Sequence, residues 1–332
     1  ITTACALLPI LPGISFQNTQ AAFVGVTLTY SLDMSKYVQA IAKSLSDLEQ
    51  KFTSIERILD YCNLPQEAAS ELPSDANLGK NWPSGGAIEY RNVTMRYRPE
   101  LDPALRGLTF AVGAGEKLGV VGRTGSGKSS IIVTLLRLTE VESGTVFIDG
   151  QDLKQVGLHS LRTKLAMIPQ EPVLFGKTTL RRNLDPFEDH SDKAIMDALG
   201  RVQMDSKETL PDGLTTEIEE GGAPFSVGQR QLLCLARAVL RSSKIILLDE
   251  ATASVDNETD ALIQRTIREM FKASTVVCIA HRIRTILDSD KILVMGAGVC
   301  KELGPPQELL STKDSEFRKL AIESNIPVPD LN

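Results

Sequence analysis

At 332 residues with a net charge of −6 and a pI near 5.3, the chain is long enough for more than one domain and lacks the basic footprint of a nucleic-acid binder. Five scattered cysteines without C-x-x-C spacing argue against a structural zinc and fit reduced thiols.

Ile1 to Phe16 is almost wholly apolar, Gly13 to Gln20 reads as a short polar turn, and Ala21 to Leu32 is apolar or hydroxylic. Neither apolar run reaches the roughly 20 residues of a clean membrane span, so hydropathy alone also allows a buried helical hairpin. No basic segment precedes the first run, which disfavours a signal peptide. The chain opens on Ile rather than Met, and the expectation is a fragment whose first span is cut short. Asp33, Lys36 and Gln39 fall within or just beyond the second candidate span, where ionisable groups face a bundle interior or the polar side. Beyond them Ile41, Leu45, Leu48, Phe52, Ile55 and Leu59 recur every three or four residues, which predicts a long amphipathic helix. From Cys62 to Gly86 the composition turns polar and rich in Pro, Asn, Ser and Gly, as in an interdomain linker.

The remaining residues, about 245, suit one α/β domain. Alternation in Ile88 to Val93 and in Leu108 to Val112 predicts an antiparallel β-subdomain. After the apolar run Leu118 to Val121 comes Gly122-Arg123-Thr124-Gly125-Ser126-Gly127-Lys128-Ser129, followed by the helical pattern Ile131 to Leu138. This is the strand, glycine loop and helix of a phosphate-binding loop, or P-loop. Its backbone amides and helix dipole suit phosphate oxygens, Lys128 suits the β- and γ-phosphates, and Ser129 offers a hydroxyl to Mg²⁺, with Ser130 adjacent. Phe175 to Arg241 is strand-poor and predicts a helical subdomain. Ile245-Ile246-Leu247-Leu248-Asp249-Glu250 then reads as a buried parallel strand ending in two carboxylates, with Asp249 the expected Mg²⁺ partner and Glu250 the expected base for the attacking water. Asn325 to Asn332 reads as a frayed tail.

Between these two motifs lies Phe225-Ser226-Val227-Gly228-Gln229-Arg230-Gln231. It resembles the L-S-G-G-Q signature of ABC transporter nucleotide-binding domains, matching it at Ser226, Gly228 and Gln229. Val227 replaces the first glycine, and the run SVGQRQLLCLARA is similar to the second nucleotide-binding domain of subfamily C, the multidrug-resistance-associated group. A β-branched residue there is expected to resist a positive φ. The resemblance covers Ala87 to about Leu320. It implies that Tyr97, about 25 residues before the P-loop, stacks on adenine, and that Gln170 contacts Mg²⁺ and the attacking water. It also implies that Ser254-Val255-Asp256 crosses a domain dimer and that His281 meets the γ-phosphate.

The expected fold is therefore an α/β ABC-type P-loop NTPase core with an antiparallel β-subdomain and a helical subdomain, preceded by the last transmembrane helices of a membrane domain. The expected organisation is membrane domain over residues 1–60, linker over 61–86 and nucleotide-binding domain over 87–332. By resemblance the chain binds and hydrolyses ATP with Mg²⁺. Its partners would be transmembrane domains in a lipid bilayer and a second nucleotide-binding domain, paired head to tail so that each P-loop faces the other's signature. That implies a multi-pass membrane protein with its nucleotide-binding domain on the cytoplasmic side. The function implied is export of organic anions, conjugates or drugs or, alternatively, a nucleotide-gated channel or channel regulator; substrate flux against ion current separates the two.

Overall fold

The structure, a computed structural model, describes residues 18–79, 81–206, 208–250, 257–280 and 282–329. The chain divides into two compact units between Glu67 and Ala68.

In the first unit, Asn18–Cys62 is one 45-residue helix, about 67 Å long at 1.5 Å per residue. Its heptad-like apolar positions, among them Ile41, Leu45, Leu48, Phe52 and Ile55, are all exposed. Lys36 pairs with Asp33 at 3.0 Å. Asn18 to Gln20, expected in a turn, already belong to this helix. The apolar run Ile1 to Phe16 lies outside the described residues, and no described helix is long and apolar enough to cross a membrane.

The second unit is built on a six-stranded sheet in the order β12-β11-β3-β10-β9-β6. Its strands are β3 (Lys117–Gly122), β6 (Leu165–Ile168), β9 (Ile245–Asp249), β10 (Thr275–Ile279), β11 (Lys291–Gly296) and β12 (Val299–Gly304). All neighbours run parallel except the antiparallel edge pair β11 and β12. Both faces are covered. Ile246 and Leu248 point into a core with Leu232, Leu233, Leu235 and Ala236 of the helix Val227–Arg241. Ile245 and Leu247, one residue out of phase, join Ile131, Ile132 and Leu135 of the helix Lys128–Leu135. Burial on both faces is why β9 reads as an unbroken apolar run rather than an alternating one. Each such side chain contributes about 1.5–3 kcal/mol.

A four-stranded antiparallel sheet, β2-β1-β4-β5, packs beside it, with β1 (Ile88–Met95), β2 (Leu105–Val112), β4 (Ser143–Ile148) and β5 (Gln151–Asp152). Between Phe175 and Arg241 the described residues form the helices Leu180–Leu184, Asp192–Arg201 and Val227–Arg241 joined by loops and short 3₁₀ turns, with the two-residue strands β7 (Thr178–Thr179) and β8 (Glu217–Ile218).

Much of the stretch that reads as linker is fastened to this second unit. The amides of Leu158 and His159 donate to the carbonyls of Ala69 and Ser70 at 3.2 and 2.9 Å. Asp75 accepts from the Gly157 amide at 2.8 Å, the Ser160 hydroxyl at 3.0 Å and the Leu72 amide at 3.0 Å. A side chain on Gly157 would place its Cβ 2.4 Å from an Asp75 oxygen, so the strap needs a glycine beneath it. Further on, Trp82 Nε1 donates to the Ile148 carbonyl at 3.3 Å. The Asp149 carboxylate gathers the amides of Gly85, Gly86 and Ala87 at 2.7–3.1 Å.

Candidate nucleotide site

The parallel register gathers the motifs at one edge. Val120 of β3, Ile279 of β10 and Asp249 of β9 lie side by side, and Ile168 of β6 pairs with Leu248. One or two residues beyond this line come Gly122, Glu250 and Gln170. This is the carboxyl edge of an open α/β sheet, where such folds bind ligands. His281 comes two residues after the end of β10 in sequence, but it lies outside the described residues, as do Ser254-Val255-Asp256.

The P-loop turns tightly between β3 and its helix. Gly127 stands at the N-terminus of Lys128–Leu135 with φ 97°, and a Cβ there would fall 2.6 Å from the Ala104 carbonyl oxygen. At Gly122 a Cβ would fall 2.3 Å from the Met295 carbonyl oxygen. Any side chain at either point displaces the loop. The turn after β11 backs it, the Gly298 amide donating to the Ser126 carbonyl at 3.0 Å. Sequence reading missed this support, because Ala104, Met295 and Gly298 carry no motif and lie far away along the chain.

Arg123, Thr124 and Gly125 form the exposed crown of the loop. Lys128 folds back over it, its Nζ donating to the carbonyls of Gly122 and Arg123 at 2.8 and 3.2 Å. Burial pulls the Lys128 ammonium below its ordinary pKa, while the Glu250 and Asp249 carboxylates oppose that pull. Ser129 Oγ stands 3.4 Å from Asp249 Oδ1, at the long end of hydrogen bonding. Burial, then the neighbouring Glu250 charge, raises the Asp249 carboxyl above its usual range, against the Ser129 bond and Lys128. Glu250 sits at φ 46°, its amide bonded to the Ile279 carbonyl at 3.0 Å.

The site fits a nucleoside triphosphate with its metal on three counts. Ser126 Oγ is buried without a partner in the loop. A cation and a helix N-terminus face a glycine cradle with no Cβ in it. One carboxylate and one hydroxyl, Asp249 and Ser129, are the oxygen donors Mg²⁺ takes alongside phosphates. Among the described residues no group of three His, Cys, Asp or Glu side chains forms a closed metal cage.

Tyr97 is half exposed, and its hydroxyl shares a 3.0 Å hydrogen bond with the buried Ser130 Oγ. Tyr90, the other aromatic at this end, is fully buried, stacked on Phe110, and donates to the Ile131 carbonyl. It is closed to a ligand.

The signature residues stand apart from this P-loop on their own helix end. Ser226 caps Val227–Arg241, its Oγ accepting from the Gln229 amide at 3.2 Å while Gln229 Oε1 accepts from the Ser226 amide at 2.9 Å. This capping box needs Val227 in a helical conformation, and Val227 has no positive φ. The strain expected of a β-branched residue is therefore absent here. Ser226 and Val227 are exposed, with Gly228 and Gln229 half-buried behind them. Gln170 is likewise exposed.

Residues 105–253 match the ABC transporter family. The chain is 45% identical over 314 residues to a probable multidrug resistance-associated protein, lethal(2)03659, of Drosophila melanogaster, covering 93% of this chain and 23% of that protein. It is 47% identical over 304 residues to ATP-binding cassette sub-family C member 2 of Rattus norvegicus, covering 91% and 20%. It is also 47% identical over 291 residues to ABC transporter C family member 3 of Dictyostelium discoideum, covering 87% and 20%. The chain thus spans about a fifth of the length of these relatives. A P-loop, a strand-end Asp249-Glu250 pair and a capped signature helix on one α/β unit, with these matches, place the chain in the ABC transporter family, subfamily C.

Proposed function

We propose that this chain is the end of a membrane domain joined to the second nucleotide-binding domain of a subfamily C exporter, where ATP hydrolysis drives organic anions, conjugates or drugs across a membrane. The observation that carries the reading is the convergence of Lys128, Ser129, Asp249 and Glu250 at one sheet edge. The relatives' names, multidrug resistance-associated and sub-family C member, support the exporter class. The full protein is then a multi-pass membrane protein with this domain on the cytoplasmic side, and Asn18–Cys62 supplies the amphipathic extension of its last span.

In this reading Tyr97 stacks on adenine, and the amides of Gly122 to Ser129 with the Lys128 ammonium hold the phosphates. Ser129, Asp249 and Gln170 would hold Mg²⁺, which would supply charge neutralisation at the phosphates. Glu250 takes a proton from the water that attacks the γ-phosphorus, and the bond to the β-γ bridging oxygen breaks, leaving ADP and inorganic phosphate. Gln170 orients that water and His281 meets the γ-phosphate. A second nucleotide-binding domain closes the site with its own signature. Ser226, Gly228 and Gln229 of this chain do the same for the partner's site, where Val227 in place of glycine favours retention of ATP over its hydrolysis.

Glu250→Gln tests the assignment in the full-length protein. It should keep ATP binding and cut turnover by at least about a hundredfold, since a general base contributes roughly 10²–10⁴. Wild-type turnover would remove Glu250 from the role of base.

A further inference from the structure

The helix Val227–Arg241 is apolar on its buried face except at two places. Gln231 is 1% exposed among Leu232, Leu233 and Leu235, and its Nε2 donates to the Pro169 carbonyl at 3.1 Å. Arg237, six residues further along, donates from Nη1 to the Val173 carbonyl at 2.9 Å. It also bonds the Asn183 carbonyl at 2.8 Å and the Asn183 side chain at 3.0 Å. A buried amide and a largely buried guanidinium carry a desolvation cost that apolar side chains in the same core would not. Both reach the same short segment, one at each end.

Between these anchors lie Gln170, Glu171 and Pro172. The segment leaves β6 at Ile168, and prolines at 169 and 172 restrict it further. Asp249 and Glu250, by contrast, belong to β9 and the sheet. Gln170 is thus held from two sides, by β6, whose Ile168 pairs with Leu248 of β9, and by the signature helix through the Pro169 and Val173 carbonyls.

We propose that Gln231, with Arg237, is a positioning residue that ties Gln170 to the signature helix. The tie is two hydrogen bonds, from Gln231 to the Pro169 carbonyl and from Arg237 to the Val173 carbonyl, on either side of Gln170. The inference rests on the reading of Gln170 as a residue of the nucleotide site.

The test is a double-mutant cycle on ATP turnover in the full-length protein, using Gln231→Met, Gln170→Ala and their combination. Methionine keeps the length and packing of the side chain but leaves the Pro169 carbonyl unpaired. Gln231→Met should lower kcat roughly three- to tenfold, the worth of one hydrogen bond, with the KM for MgATP unchanged within about twofold. In the Gln170→Ala background the same substitution should have no further effect. A full multiplicative loss in the double variant, or a change in KM alone, overturns the clasp and leaves the reading of Gln170 intact. A silent Gln170→Ala overturns that reading, and the clasp with it. If Gln231→Met does not fold, Arg237→Lys enters the same cycle and its loss must likewise vanish with Gln170→Ala.

Discussion

Replacing Asp75 with alanine removes two hydrogen bonds between the strap and the rest of the second unit, to Gly157 and Ser160, and one within the strap, to Leu72. Bonds to a charged acceptor contribute about 1.5–3 kcal/mol each when well shielded. Asp75 is half-buried, so values near the bottom of that range apply, about 2–4 kcal/mol for the strap as a whole. The loss is local: residues 69–78 can lift while the six-stranded sheet stays folded. Native-state hydrogen exchange at Leu158 and His159, whose amides bond the strap carbonyls of Ala69 and Ser70, reads it directly. Protection there should fall about 30- to 1,000-fold in Asp75→Ala, with amides of β9 unaffected. Asp75→Asn should lie between, since the amide keeps one accepting oxygen. Burial alone would raise the Asp75 pKa, but the bonds from Gly157, Leu72 and Ser160 hold it below its ordinary value. The contribution is therefore complete above the ordinary carboxylate range and is lost as pH falls through the lowered folded value. Protection within twofold of wild type at Leu158 and His159 in Asp75→Ala, at neutral pH, would refute the attachment of the strap through Asp75.

Tyr97→Ala should weaken ATP binding by roughly 1–3 kcal/mol, by analogy with base–aromatic stacking, while Tyr97→Trp is tolerated; calorimetry showing equal affinity for wild type and Tyr97→Ala would discard the stacking role. Asp249 has the opposite sign to Asp75: its folded pKa is raised, so its ionisation costs stability above that value, and the cost disappears as pH falls below the ordinary carboxylate range. Asp249→Asn should then raise the melting temperature of the nucleotide-free protein at pH 7, with a smaller gain near pH 4, and lose Mg²⁺-dependent nucleotide binding. A thermal scan with no gain at pH 7 would contradict the electrostatic reading. Val227→Gly should alter nucleotide retention or hydrolysis at the partner site and leave chemistry at the Glu250 site nearly unchanged, as read by nucleotide trapping at each site; equal effects at both would remove the asymmetry.

What the sequence made legible was whatever is local. Gly122 to Ser129 are contiguous, and their flanking periods switch from strand to helix within a few residues. Ile245 to Glu250 is short, apolar and charged at one end. The strap was less legible, because Ala69 to Gly86 is held by backbone amides and carboxylates, which leave no hydropathy period. Val227 was legible only as a departure from a pattern. The L-S-G-G-Q pattern suggests a backbone needing glycine, whereas Ser226 and Gln229 build a helix cap that accepts valine. Gln231 and Arg237 did leave a signal, two polar residues on an apolar helical face, but nothing local names their partners at 169 and 173. Ser130 likewise reads as one more P-loop hydroxyl until Tyr97 is folded against it.

Glu250 occupies the left-handed region at φ 46°, which costs a residue with a Cβ about 1–2 kcal/mol. Glycine would relieve that strain outright and asparagine would relieve part of it. A redesign guided by folding stability alone would therefore exchange this carboxylate early and be rewarded with a higher melting temperature. The same exchange removes the carboxylate proposed above to take the proton from water. At this one position thermal robustness and turnover are opposed by a single backbone dihedral, so a thermostabilised version of this domain has to find its gains elsewhere in the chain.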